Sequence, residues 1–134
     1  MEAIRLEITR TGDVPDYDAM MSRFITQAAQ KIRQRMRNKL VEEKHGRMYA
    51  RKRGEGFTRA HRASAEGEAP ASDTGALSRS LEVIKKNSLE SEITSSLGYA
   101  GILEDPQKLN RPLWQASLDE MLPILEMDLY QMFE

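Results

Sequence analysis

Residues 80–97 read SLEVIKKNSLESEITSSL, and the spacing of their apolar side chains decides the fold class. Leu81 with Val83, and Ile93 with Leu97, recur at even intervals with polar residues between them, the period-two pattern of strands that bury one face. Asn87-Ser88 separates the two runs with a turn-forming pair. A strand pair over 80–97, from Ser80–Lys86 and Glu92–Leu97, is therefore expected.

Working outward, Ile4, Leu6 and Ile8 alternate with Arg5, Glu7 and Thr9, a further strand over 2–9 that completes a small antiparallel sheet. Gly12 and Pro15 end it, and Asp13 or Asp16 can cap the next element by accepting the free N–H groups of its first helical turn. Tyr17, Met21, Phe24, Ala28, Ile32, Met36 and Leu40 then step by three or four, one stripe down a long helix over 15–43. At 1.5 Å per residue this helix would be roughly 40 Å long, so its basic C-terminal end is expected to project from the body.

From 44 to 73 no period is sustained, and Gly46, Gly54, Gly56, Gly67 and Pro70 collect there. The segment reads as a long basic loop, the element expected to touch a partner. Gly98 ends the strand pair, and Tyr99 to Glu104 reads as one helical turn stopped by Pro106. A C-terminal helix over 112–133 comes next, with Pro112 in its first turn, where the missing N–H costs nothing. Trp114, Leu118, Leu122, Leu125, Leu129 and Phe133 form its expected buried face, and Pro123 predicts a kink or break near Asp119. The whole is a single α+β domain: a small antiparallel sheet packed with one long N-terminal helix and a C-terminal helix, with a long basic loop between.

At 134 residues the chain suits one core, and it has no cysteine and two histidines. Disulfide and thiolate chemistry are excluded, and a zinc site has little to build on. His45 and His61 lie in a polar, glycine-containing stretch that promises no fixed geometry, so no catalytic residue, cofactor or metal ligand is assigned. Most methionines fall on the helical stripes, as adaptable packing side chains. No apolar run approaches the roughly 18 residues of a membrane span, so no membrane partner is expected. Met1 to Thr11 alternates charged and aliphatic residues unlike a signal peptide, and a soluble, intracellular protein is the expectation.

Net charge is −1, but its distribution is uneven. Lys31 to Arg62 holds twelve Lys and Arg against Glu42, Glu43 and Glu55, a local +9 that leaves −10 for the remainder. From Pro112 to Glu134 there is no basic residue, while Asp119, Glu120, Glu126, Asp128 and Glu134 are acidic. Opposite poles on one molecule favour head-to-tail contact between copies, of which rings are one result.

Three pieces of the second half carry a family likeness: Ala69-Pro70 with Asp73-Thr74-Gly75-Ala76-Leu77; Tyr99-Ala100 with Leu103-Glu104; and Arg111-Pro112-Leu113 with Ala116. In this order, behind the lead-in Ala63 to Glu68, they resemble the tail-completion, or head–tail joining, proteins of long-tailed bacteriophages over residues 63 to 134. Leu113-Trp114 stands where that family usually has Pro-Phe-Leu, and Asp105-Pro106 where small residues often follow the Glu. The resemblance implies a structural, non-enzymatic virion protein of the head–tail neck, assembled in the host cytoplasm. It would be a subunit of a homo-oligomeric ring that completes the tail end or joins it to the DNA-filled head. Its partners would be neighbouring neck, connector or tail-tube proteins, with passing genomic DNA as a further contact. Thr74, Gly75, Leu77, Tyr99, Ala100 and Pro112 carry the family motif.

Within that frame, Lys44, Arg47, Arg51, Lys52, Arg53, Arg59 and Arg62 are the expected partner or DNA contacts. Glu104, Arg111, Trp114, Asp119, Glu120 and Glu126 are the expected subunit contacts. Local readings stand beside these: Arg111 to Trp114 as a helix start with a core aromatic, Glu104 as a partner of Arg111 or a cap, Tyr99 as a core residue with a wet hydroxyl. From another class comes a nucleic-acid-binding accessory protein, because a basic arm with Tyr49 and Phe57 interleaved suits phosphate neutralisation and base stacking.

Overall fold

A computed structural model describes residues 3–9, 17–46, 48–52, 58–70, 75–97, 104 and 110–133. In chain order the elements are β1 (Ala3–Glu7), α1 (Asp18–Leu40), β2 (Met48–Lys52), β3 (Thr58–Arg62), α2 (Ala76–Ser80), β4 (Leu81–Asn87), β5 (Glu90–Ser95) and α3 (Trp114–Gln131). The fold is α+β. β1, β5 and β4 form one antiparallel sheet in that order, and β2 and β3 form a separate two-stranded one.

Register places the apolar row. Ile4 lies opposite Ile93, and Ile93 opposite Val83, so one face of the central strand carries the core. α1 lies across that face, because two residues away on β4 the Lys85 ammonium donates to Ser22 O at 3.0 Å and Thr26 Oγ1 at 2.8 Å on α1. The opposite face carries Arg5, Glu82, Lys86, Glu90 and Glu92, with Arg5 Nε donating to Glu90 at 2.7 Å, as an antiparallel sheet with one wet side allows. The turn is tied locally, since the Leu89 N–H donates to Asn87 Oδ1 at 3.0 Å.

α1 buries Ile25, Ala28, Ala29, Ile32, Met36 and Leu40. Ala28 and Ala29 let its axis approach the sheet and α3 closely, while Tyr17 at the head of the expected stripe is half-exposed. The basic end of α1 does not project. Met36 and Leu40 are buried, Arg37 Nε donates to Ser78 O at 3.2 Å, and Lys44 Nζ caps the helix by donating to Lys39 O at 2.6 Å.

α3 runs unbroken through Pro123, so of the expected kink or break the break does not occur. Pro123 sits on an exposed face, where water can satisfy the Asp119 carbonyl that loses its intrahelical donor. The buried line is Trp114, Ser117, Met121 and Leu125, rotated from the expected one, so Leu122 and Phe133 are exposed. Tyr17 and Phe133 meet edge to face, with ring centroids 5.4 Å apart, closing the far end of the α1–α3 pair.

The expected loop over 44–73 is the largest difference. It holds the β2–β3 hairpin, with Met48 opposite Arg62, Tyr49 opposite His61 and Arg51 opposite Arg59. Neither strand alternates apolar with polar residues, so the period-two signal is missing; the bracketing pattern Gly54-Glu55-Gly56 is the one turn cue.

Candidate functional site

Two constructions converge at the base of the hairpin and the head of α3. The first joins the end of α1 to the lead-in segment. Glu68 accepts the Ala65 N–H at 2.7 Å and the His45 N–H at 2.9 Å, while its other oxygen meets His45 Nδ1 at 2.8 Å. These donors, the Ala65 N–H foremost, hold the Glu68 carboxyl far below its ordinary range, at about 2. Beside it the Gly46 N–H donates to Ala63 O at 2.9 Å, and a Cβ on Gly46 would stand 2.5 Å from both Ala63 O and Ser64 O. Only glycine fits so close to a crossing backbone.

The second construction launches α3. Glu104 accepts the N–H groups of Leu113 at 2.7 Å, Trp114 at 3.2 Å and Gln115 at 3.0 Å, three of the four donors a helix start leaves without intrahelical partners. The two constructions touch. Arg111 Nε donates to Ser64 Oγ at 2.9 Å, and the Gly67 N–H donates to Asn110 O at 2.7 Å, with Gly67 and Asn110 both at positive φ.

These contacts redefine several expected site residues. Glu104 is a cap of α3, joining the second motif to the third. Trp114 is 1% exposed and belongs to the core, so it is not a surface contact. Lys44 is buried against the α1 C-terminus, and burial lowers its ammonium pKa, so it is not a free basic contact either. Arg62 reaches back to Gly46 O at 2.9 Å. Arg51, Lys52 and Arg59 lie on the hairpin strands. Gly75 adopts φ 80° immediately before α2, Leu77 is buried, and Pro112 is half-buried two residues ahead of α3. The chain between Gly75 and β4 is thus a helical turn rather than a bare turn. Arg47, Arg53, Thr74, Tyr99 and Ala100 lie outside the described residues, as do Asp13, Asp16 and the expected turn from Tyr99 up to Glu104.

Two acidic residues of α3, Glu120 and Asp128, are paired within the chain. Lys31, Arg35 and Lys39 stand one turn apart on α1; Lys31 meets Asp128 at 2.6 Å, Arg35 meets Glu120 at 2.7 Å, and Lys39 meets Glu120 at 2.6 Å. Hydrogen bonds from Lys39 first, then Arg35, hold the Glu120 carboxyl below its ordinary range. Part of the opposite-pole pattern in the sequence is therefore an internal ladder, of Lys31, Arg35 and Lys39 with Glu120 and Asp128. What stays outward on α3 is Asp119, which accepts from Gln115 Nε2 at 2.8 Å, and Glu126, among exposed Leu122, Ile124, Met127 and Tyr130.

Sequence reasoning missed Glu68, Ser64 and the ladder. The lead-in Ser64-Ala65-Glu66-Gly67-Glu68 held the first two, and Lys31-Arg35-Lys39 at four-residue spacing held the third. Among the described residues no group of three or more His, Asp or Glu could hold a metal ion, and no helix is long and apolar enough to cross a membrane. No family model, curated protein or solved structure matches the chain.

Proposed function

We propose that the chain is a structural subunit of a bacteriophage head–tail neck, a ring component that completes the tail end or joins the tail to the DNA-filled head, with no catalytic role. The observation that carries the reading is the Glu104 clamp. Residues of the second and third family-like motifs form one joint: the Glu104 carboxylate holds the first N–H groups of the helix that Arg111-Pro112 introduces. The lead-in closes the same joint through Ser64 and Arg111. Two of the three pieces, with the lead-in, thus cooperate in one construction, which supports the resemblance better than isolated short matches would.

In this role the hairpin and the outward face of α3 are the surfaces offered to siblings and to neighbouring neck, connector or tail-tube proteins. A second reading, a nucleic-acid-binding accessory protein, is favoured by the composition of the hairpin segment, since residues 47–62 carry six Lys and Arg against Glu55 alone.

The test is genetic complementation in a lysate of the phage or prophage that encodes the chain. Without it, filled heads and complete tails should accumulate apart, and adding the purified protein should join them into infectious particles. Normal particles formed in its absence would exclude the neck role.

A further inference from the structure

We propose that the β2–β3 hairpin of one copy docks on the outward face of α3 of a second copy; the contact deepens the ring-subunit reading and rests on its self-association. The hairpin's two strands pair with each other as a sheet of their own, apart from β1-β5-β4. A two-stranded hairpin is marginally stable in water and gains most from a surface to lie against. Residues 47–62 carry six Lys and Arg against Glu55 alone, so an acidic surface is the one that complements the hairpin.

The outward face of α3 meets that requirement. Residues 112–134 contain no Lys or Arg, and Asp119 and Glu126 point outward. Beside them lies apolar area with no covering layer among the described residues: Leu122 is 42% exposed, Met127 58% and Tyr130 71%. The acidic, partly apolar face complements the basic hairpin that every copy of the chain carries, so the hairpin of a second copy is the occupant. A phosphate backbone would satisfy the hairpin's charge but leave the apolar part of α3 in water. Met48, itself exposed, gives the hairpin matching apolar content.

The dimensions agree. Asp119 to Tyr130, twelve residues, spans about 18 Å at 1.5 Å per residue, and a five-residue strand spans about 17 Å at 3.3 Å per residue. The contact joins different surfaces of identical chains, so its repetition closes into a ring where the rotation permits.

The chain has no cysteine, so single-cysteine variants report this contact without background. Arg59→Cys and Met127→Cys, made separately with tags of different mass, are mixed in low salt and oxidised. The mixed disulfide is expected roughly tenfold faster than between Arg59→Cys and Glu82→Cys on the exposed side of β4, with the excess shrinking in high salt. Equal rates in both mixtures overturn the docking. Native mass spectrometry of the unmodified chain separates the two failures. A discrete oligomer with equal rates overturns this contact and leaves the ring reading standing, whereas a monomer at every concentration removes self-association as well. If Arg51→Glu with Arg59→Glu abolishes salt-dependent binding to duplex DNA, and the pair Lys52→Cys and Met127→Cys cross-links no faster than Lys52→Cys with Glu82→Cys, the hairpin serves nucleic acid and the docking is overturned.

Discussion

Lys39 on α1 donates to Glu120 on α3 across 2.6 Å, and Arg35, one turn earlier, reaches the same carboxylate at 2.7 Å. One acidic side chain thereby fastens two helices through two cations, one of them nearly buried. Truncating it strands Lys39 in a poorly solvated place, which costs more than a surface ion pair contributes.

Glu120→Gln is expected to destabilise the fold by about 1 kcal/mol, allowing for solvent screening at a half-exposed carboxylate. Urea denaturation of Glu120→Gln, Lys39→Met and the double variant checks this. The double variant should be less destabilised than the sum of the singles, and strict additivity would show that the two groups do not interact.

Acid should loosen the same molecule in a defined window. Glu68 and Glu120 both have lowered carboxyl pKa values in the fold, Glu68 at about 2 against an ordinary 4.5. A carboxyl depressed in the folded state contributes stability that is fully present above its unfolded value and lost as pH falls through its folded value. Stability should therefore fall between pH 4.5 and about 2, and Glu68→Gln should flatten that fall. An unchanged slope in pH-dependent thermal melts of Glu68→Gln would contradict the assigned hydrogen bonds.

How much of this was legible in the sequence depended on whether an apolar period existed to be read. β1 and the strand pair showed theirs, and the pairing of Ile4, Ile93 and Val83 follows the alternation. α1 likewise follows its stripe from Phe24 to Leu40. The β2–β3 hairpin had no such period, because MYARK and TRAHR place charge where alternation would place apolar residues. The face of α3 was misread because Leu122 and Phe133 are apolar yet exposed, whereas Ser117, polar in the sequence, is fully buried. Glu104 was legible as a cap among alternatives, and the lattice of donors around Glu68 was not, since backbone N–H groups leave no mark in a sequence.

Glu104→Ala should cost about 1–2 kcal/mol, the usual penalty for removing a helix cap, by leaving three N–H groups of α3 without their acceptor. Glu104→Gln, which retains one acceptor oxygen, should lose less. Equal stability of all three proteins in chemical denaturation would remove Glu104 from the joint.

Two glycines of the joint should fail for different reasons. Gly46→Ala forces a Cβ against two carbonyl oxygens and should cost about 1–3 kcal/mol as overpacking. Gly67→Ala meets open space but sits at φ 86°, so its cost is torsional, about 1 kcal/mol. Gly67→Asn should recover part of the second loss, because asparagine tolerates that backbone region, and no asparagine should rescue the first.

Ser117→Ala should be neutral or stabilise by up to about 1 kcal/mol, since its buried hydroxyl finds no hydrogen-bond partner among the described residues. Thermal melts decide it: a loss of stability on removing the hydroxyl would reveal an acceptor that binds it.

The neck assignment is tested most directly by locating the chain in finished particles. Immunogold labelling of purified virions against an epitope-tagged chain should place gold at the junction of head and tail, with the protein present in the particle proteome at a ring's stoichiometry. Particles that are infectious, complete and free of the chain would contradict the assignment.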